Sequence, residues 1–160
     1  MSAGAGATPK PDRDLTKLAP KFRVAVERAL YDCHADGLDA WVYEGLRSPE
    51  LQAAYYRRGR TEIPPHKPVT NAKSNLYSWH GFGLAVDVIS QSRHWYETPQ
   101  WFARVAEHFK RHGCKWGGDW KMRDLPHMQW GRCKASPSDR ARVLFAEGGF
   151  KRVWEEVGAL

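Results

Sequence analysis

Asp87 lies in the middle of Leu84-Ala85-Val86-Asp87-Val88-Ile89, a run whose apolar, β-branched character predicts a short buried strand. A bare carboxylate is expensive to bury, so the group must be neutralised, paired with a cation or bound to a metal. His80 stands seven residues earlier, and Gly81 and Gly83 would let the chain turn its imidazole back toward the carboxylate. His127 opens a second apolar run within Asp124-Leu125-Pro126-His127-Met128-Gln129-Trp130. Two imidazoles and one carboxylate suit zinc, whose catalytic sites take three protein ligands and keep a fourth position open. Asp124, three residues before His127, would place a base beside a ligand. Pro126 rules out a regular helix here, so Asp124 must reach the site by a turn. Capping that turn, or pairing with Lys121 or Arg123, is the alternative use of Asp124. Asp119, in Gly117-Gly118-Asp119-Trp120, is the rival base, although Asp in such turns commonly bonds its own backbone. The remaining histidines have ordinary explanations. His34, His108 and His112 fall on polar or boundary faces of predicted helices, where solvation accounts for them, while His66 lies in a proline-rich loop and His94 in a polar turn.

The elements that must position these groups are legible. Residues 1–13 are small, polar and proline-containing, which predicts a flexible arm before a single domain over 14–160. Asp14 or Thr16 is placed to cap a helix through LAPKFRVAVERALYDCHAD, with Phe22, Val26, Ala29, Leu30 and Cys33 on one stripe and Gly37 as the stop. LDAWVYEG alternates as a strand does, with Trp41 and Tyr43 on one side. Ser48 as N-cap, Pro49 and Glu50 in the first turn, and Gly59 as terminator define a second helix. A long loop from Thr61 to Tyr77 leads to the Asp87 strand, and loops of that length in a compact domain are usually functional. Thr98 and Pro99 start a third helix that closes at Gly113. A strand, a glycine-rich turn and a short strand follow, and then two short helices split by Gly148-Gly149. Interspersed helices and strands without a βαβ glycine fingerprint predict an α+β fold, a small, mostly antiparallel sheet flanked by helices.

Composition narrows the class. The chain has 160 residues, 42% hydrophobic, with eight Trp, six Tyr and six Phe, enough for a folded core. A net charge of +7 favours an anionic partner: nucleic acid, an anionic membrane or an acidic wall polymer. The basic residues are dispersed among 18 acids and no nucleic-acid module is visible, which argues against nucleic acid. Three separated cysteines, odd in number and without a CxxC pair, read as ordinary thiols of a reducing compartment. The N-terminus shows no apolar signal region, and no stretch reaches the ~18–20 apolar residues of a membrane span.

Taken together, SWHGFGLAVD (Ser-x-His-x-x-Gly-x-Ala-x-Asp), WGGDW and DLPHMQW resemble the VanY-like family of zinc peptidases. That family includes D-alanyl-D-alanine carboxypeptidases and phage L-alanyl-D-glutamate endopeptidases. VYEGLRSPELQAAYYRRGR and VTNAKSNLYSWHG extend the resemblance upstream, to about residues 38–131. The resemblance implies His80, Asp87 and His127 as zinc ligands and Asp124 as the catalytic carboxylate. Many carboxypeptidase members carry Glu at that position, so Asp leans toward the phage endopeptidases. Arg47 matches a basic residue near the substrate or the developing oxyanion, with a structural salt bridge as the equal alternative. Ser78 matches the motif serine, a ligand support or substrate contact, and Gln52 is a further substrate-contact candidate. Trp79, Trp116, Trp120 and Trp130 would floor a cleft or, more in keeping with their type, fill the core. The expectation is therefore a monomeric zinc-dependent endopeptidase acting on peptidoglycan stem peptides. It would be a phage endolysin made in the host cytoplasm without a signal peptide and admitted to the wall after membrane permeabilisation. Transient contact with an anionic membrane or wall surface fits the charge. A D-alanyl-D-alanine carboxypeptidase, or a non-catalytic wall-peptide binding module, is the alternative.

Overall fold

The structure, a computed structural model, describes residues 8–62 and 67–160. The first half of the expected arm and His66 lie outside the described residues. Helices and strands alternate as α1 (Pro20–Ala35), β1 (Ala40–Glu44), α2 (Pro49–Arg57), β2 (Ala85–Ser90), α3 (Pro99–Arg111), β3 (Cys114–Trp116), β4 (His127–Trp130) and α4 (Asp139–Glu156). The strands form one antiparallel sheet in the order β1-β2-β4-β3, the α+β arrangement that the sequence pattern predicts.

Capping chemistry sets most helix starts. Ser48 Oγ accepts from Leu51 N at 3.1 Å and Thr98 Oγ1 from Trp101 N at 3.1 Å, each followed by proline in the first turn. Helix α1 departs from expectation. Asp14 caps only a 3₁₀ turn over Leu15–Lys17, accepting from Thr16 N at 2.9 Å, and the helix begins at Pro20 behind an uncapped Ala19. Proline lacks an N–H and fixes φ, so Pro20 suits the first turn of a helix and dictates where this one starts. Helix α4 is continuous in span but broken at Gly149 (φ 70°, ψ −158°), as the Gly148-Gly149 pair predicts.

The sheet separates core from site. Partners across antiparallel strands share a face. Val42–Val88, Val86–Met128 and Met128–Trp116 pair on one side, where Phe22, Val26 and Ala29 of α1 and Phe102, Val105 and Phe109 of α3 bury them. Asp87 pairs with His127, and Ala85 with Gln129, on the other side. A bulge between Val42 and Glu44 adds one residue to β1, so that Glu44 rather than Tyr43 opposes Asp87. In an unbulged register Glu44 would oppose Val86 and point into the apolar core.

Helices α1 and α3 pack side by side, and this overturns the expected solvation of His108 and His112, while His34 stays exposed as expected. His108 Nε2 lies 2.9 Å from Asp36 Oδ2, His112 Nε2 is 2.7 Å from Asp32 Oδ2, and His34 Nε2 is 2.7 Å from Ala40 O. The boundary faces read from the sequence are contact faces. The expected arm is tied down at its end: Gly45 N donates to Asp12 O at 2.7 Å, and the Arg13 guanidinium lies 4.5 Å from the Trp41 ring centre. No helix among the described residues is long and apolar enough to cross a membrane.

Cys33, Cys114 and Cys133 are free and buried. Burial pushes each thiol up to about 12, so at pH 8 all three are protonated and the reactive thiolate is scarce. The native protein should therefore leave a disulfide-exchange reagent essentially unreacted at pH 8, with all three thiols appearing on denaturation. Rapid labelling of the native protein would contradict this packing.

Candidate metal centre and cleft

The three residues of the Asp87 question meet on the open side of the sheet. His80 comes from a 3₁₀ turn, Trp79–Phe82, whose first turn Ser78 caps by accepting from His80 N at 3.3 Å. Gly83 then reverses the chain into β2 with φ 68°, a conformation that side chains with a Cβ resist. His80 Nδ1 lies 3.0 Å from Gly45 O. A carbonyl only accepts, so Nδ1 carries the proton and Nε2 faces Asp87 Oδ1 at 3.3 Å. Gln129 fixes the other ring in the same way. Its amide nitrogen donates to Lys134 O at 2.8 Å, which turns its Oε1 toward His127 Nε2, also at 2.8 Å. His127 Nε2 must then be the donor, leaving the lone pair of Nδ1 directed at Asp87 Oδ1, 3.8 Å away.

In these tautomers the two rings turn lone pairs toward the carboxylate, an arrangement that a cation between them would satisfy. The ligand atoms of His80, Asp87 and His127 lie within 4.8 Å of one another. Tetrahedral zinc with bonds of ~2.0 Å would separate its ligands by about 3.3 Å, close to what is seen here. Burial, and then the neighbouring His80, lower the pKa of His127 to about 4, so its ring is neutral and ligand-competent at neutral pH. Without a metal, burial raises Asp87, but the His80 and His127 rings, when protonated, and Arg47 outweigh that and hold its carboxyl well below the usual range. The donor set fits zinc.

Behind the ligands stands a second layer. Arg47 is buried against Glu44, which its Nε and one terminal nitrogen engage. Its other terminal nitrogen donates to Gln52 Oε1 at 2.9 Å, and the guanidinium reaches within 3.7 Å of Asp87 Oδ2. Tyr55 Oη donates to Glu44 Oε2 at 2.9 Å. The structure contains the salt bridge of Arg47, and Arg47 also lines the cleft, so both readings stand. Gln52, a substrate-contact candidate by sequence, is fully buried, with its amide donating to Ala72 O at 2.6 Å. It ties Arg47 to the loop wall. Sequence reading missed Glu44 and Gln129. Both had a usable signal: Glu44 ends an alternating strand three residues before Arg47, and Gln129 shares a strand face with His127.

Asp124 flanks the centre, with Oδ2 3.9 Å from His127 Nδ1. The close approach depends on Gly117, whose carbonyl accepts from Asp124 N at 2.9 Å. A Cβ at Gly117 would collide with the Asp124 backbone and press on the Cβ of His127 at 3.0 Å. Asp124 is half exposed toward the cleft, yet crowding by protein, and then the charge of Asp87, raise its pKa to about 6. Asp119 points elsewhere, pairing with Lys110 at 2.7 Å. A cleft of about 750 Å³ runs over the centre, walled by Tyr43, Tyr55, Tyr77, Trp95 and Trp120 among others. Trp120 leans on His127, with ring centres 4.9 Å apart. Trp79 touches the cleft but is almost wholly buried, Trp116 belongs to the core, and Trp130 packs on Phe22.

Gln129→Ala removes the acceptor that orients His127. Divalent-metal affinity should fall by about 10–100-fold, read by competition with a chromophoric chelator, while the circular dichroism stays native. Unchanged affinity would mean that Gln129 does not set the tautomer.

Comparison with known proteins places this geometry. A family model described as D-alanyl-D-alanine carboxypeptidase matches residues 71–130. A peptidoglycan L-alanyl-D-glutamate endopeptidase of Bacillus subtilis is 36% identical over 106 residues, 58% of this chain and 61% of that protein. An L-alanyl-D-glutamate peptidase of Listeria phage A118 is 27% identical over 125 residues, 73% of this chain and 39% of that protein. The chain thus spans less than two thirds of the length of either curated relative. Among solved structures, an L-Ala D-Glu endopeptidase of Serratia marcescens aligns with a TM-score of 0.54 at 25% identity, over 77% of this chain and 87% of that one. The fold, the ordered motifs and these likenesses support a peptidase domain, matched over residues 71–130, that is similar to the VanY-like zinc peptidases.

Proposed function

We propose that this chain is a zinc-dependent peptidoglycan peptidase that cuts the L-alanyl-D-glutamate bond of stem peptides, and that it serves as a phage endolysin. The observation that carries the reading is the convergence of two oriented imidazole rings on a partly buried carboxylate, with a second carboxylate beside them in an open cleft. The two curated relatives, by name L-alanyl-D-glutamate peptidases and one of them from a phage, supply the bond and the setting. A monomer made in the host cytoplasm and released to the wall after membrane permeabilisation fits the reading, and the +7 charge would favour meeting an anionic envelope.

His80, Asp87 and His127 would hold the metal. Bound there, zinc supplies a Lewis acid that polarises the scissile carbonyl and makes water more acidic. Asp124, at the cleft side of His127, takes the proton from the attacking water and delivers it to the departing amine. Gly45 O and Gln129 keep both rings in the tautomer that offers a lone pair to the metal. Arg47 steadies Asp87 from behind while Glu44 balances its charge. Ser78 sets the His80 turn and borders the cleft, so its contribution is to ligand placement first.

Two substitutions separate these roles. Asp87→Ala should lose both zinc and hydrolysis, whereas Asp124→Ala should keep about one zinc per chain yet lose at least ~10²-fold in turnover. Metal analysis and turnover on the same preparations check this; stoichiometric zinc in the first variant, or near-normal turnover in the second, contradicts it. Mass spectrometry of purified peptidoglycan tests the bond. Chelator-sensitive release of stem peptides lacking their L-Ala is expected. Loss of a terminal D-Ala alone would move the chain to the carboxypeptidases, as the family description allows. No cleavage with zinc restored would leave a binding module.

A further inference from the structure

Most aromatic faces along the cleft are already covered. Lys73 and Arg142 lie over Tyr77, at 4.9 and 4.0 Å from the ring centre, and Arg47 and Arg58 lie over Tyr55. Trp120 rests on His127, and Arg13 lies 5.0 Å from the centre of Tyr43. Trp95 is different. Its side chain is 42% exposed, it lines the same cleft as the metal ligands, and among the described residues no cation lies over its ring. It stands edge-on to Tyr43, with ring centres 4.7 Å apart.

The turn that presents Trp95 is unusually well tied. His94 adopts φ 54°, a left-handed conformation uncommon for a residue with a side chain. Ser90 and His94 exchange backbone hydrogen bonds at 3.1 and 3.4 Å, and Ser90 Oγ accepts from Arg93 N at 2.8 Å. Asp39 accepts from both Gln91 N and Ser92 N, at 2.9 and 2.8 Å. A large apolar ring held open to water on a fixed turn is costly for folding and useful for binding. Strained backbone that the surroundings over-determine is common at ligand sites.

Substrate chemistry indicates what would lie there. In a stem peptide the L-Ala amine is joined to an N-acetylated amino sugar of the glycan strand. Cutting the L-Ala–D-Glu bond leaves that sugar one residue from the scissile carbonyl, so the cleft must accept a neutral sugar ring near the metal centre. The D-Glu side of the bond is anionic and suits the guanidinium groups of Arg58 and Arg123, which also line the cleft. The uncharged aromatic surface suits the C–H face of the sugar. We propose that Trp95, braced by Tyr43, is the sugar subsite of this cleft, an inference that rests on the endopeptidase reading. The enzyme therefore prefers stem peptides still attached to their glycan.

Two measurements test this. The first compares hydrolysis of a disaccharide-linked stem peptide with that of the same peptide freed of sugar, using the zinc-loaded wild type, Trp95→Phe and Trp95→Ala. Wild type should favour the sugar-linked substrate by about 10-fold in kcat/KM. Trp95→Ala should lose that preference through KM, and Trp95→Phe should keep most of it. Equal losses on both substrates, or no change on either, would overturn the subsite. The second follows the tryptophan indole signals of the 15N-labelled protein while the peptide-free disaccharide is added. A saturable shift of the resonance missing from Trp95→Phe supports the subsite independently of any hydrolysis, and no shift at millimolar disaccharide refutes it. If wild type cuts neither substrate while the disaccharide still moves Trp95, the endopeptidase reading fails and the sugar subsite stands.

Discussion

The charge of Asp87 cannot be left alone where the sheet puts it, and much of the structure answers to that. Arg47 approaches it, but Arg47 is also claimed by Glu44, so one guanidinium faces a buried and a partly buried carboxylate. The cluster keeps an excess of negative charge. On the cleft side the neutral rings of His80 and His127 offer lone pairs, because Gly45 and Gln129 hold their N–H groups. Each partner taken singly makes the site less comfortable without a cation. A divalent ion resolves the charge excess and takes both lone pairs at once, so the arrangement of the site favours metal binding.

Such a cluster costs stability, and the division of the sheet shows how the fold bears it. The face toward α1 and α3 is continuously apolar, from Val42 through Val88, Val86 and Met128 to Trp116. The polar groups are confined to the other face. One extra residue in β1 maintains the division at Glu44, and the missing side chain of Gly117 lets Asp124 and His127 approach. Buried ion pairs contribute little net stability but are costly to break. The Arg47–Glu44 pair is accordingly better understood as fixing the position of Asp87 than as holding the domain together.

The convergence of His80, Asp87 and His127 was legible in the sequence because a carboxylate in an apolar strand violates the pattern around it, and His80 and His127 each adjoin an apolar run. That Asp124 lies beside the cluster and Asp119 does not fits the sequence ranking, although Lys110 rather than the turn backbone takes Asp119. What escaped was the second layer. Gln52 reads as a solvated helix residue until the loop at Thr70–Ala72 folds over it. Glu44 looks like a strand-end charge until the bulge turns it inward. The same long-range packing made contacts of His108 and His112, whose helix faces looked solvated in isolation. Local periodicity reports which face a residue occupies. It does not report what that face will meet.

Zinc K-edge X-ray absorption on the purified, zinc-loaded protein tests the central claim most directly. Two imidazole nitrogens and a carboxylate oxygen, all near ~2.0–2.2 Å and with no sulfur, are expected for His80, His127 and Asp87. Sulfur scattering at ~2.3 Å would place the metal on a cysteine instead. That result, or a single imidazole in the shell, would contradict the centre described above.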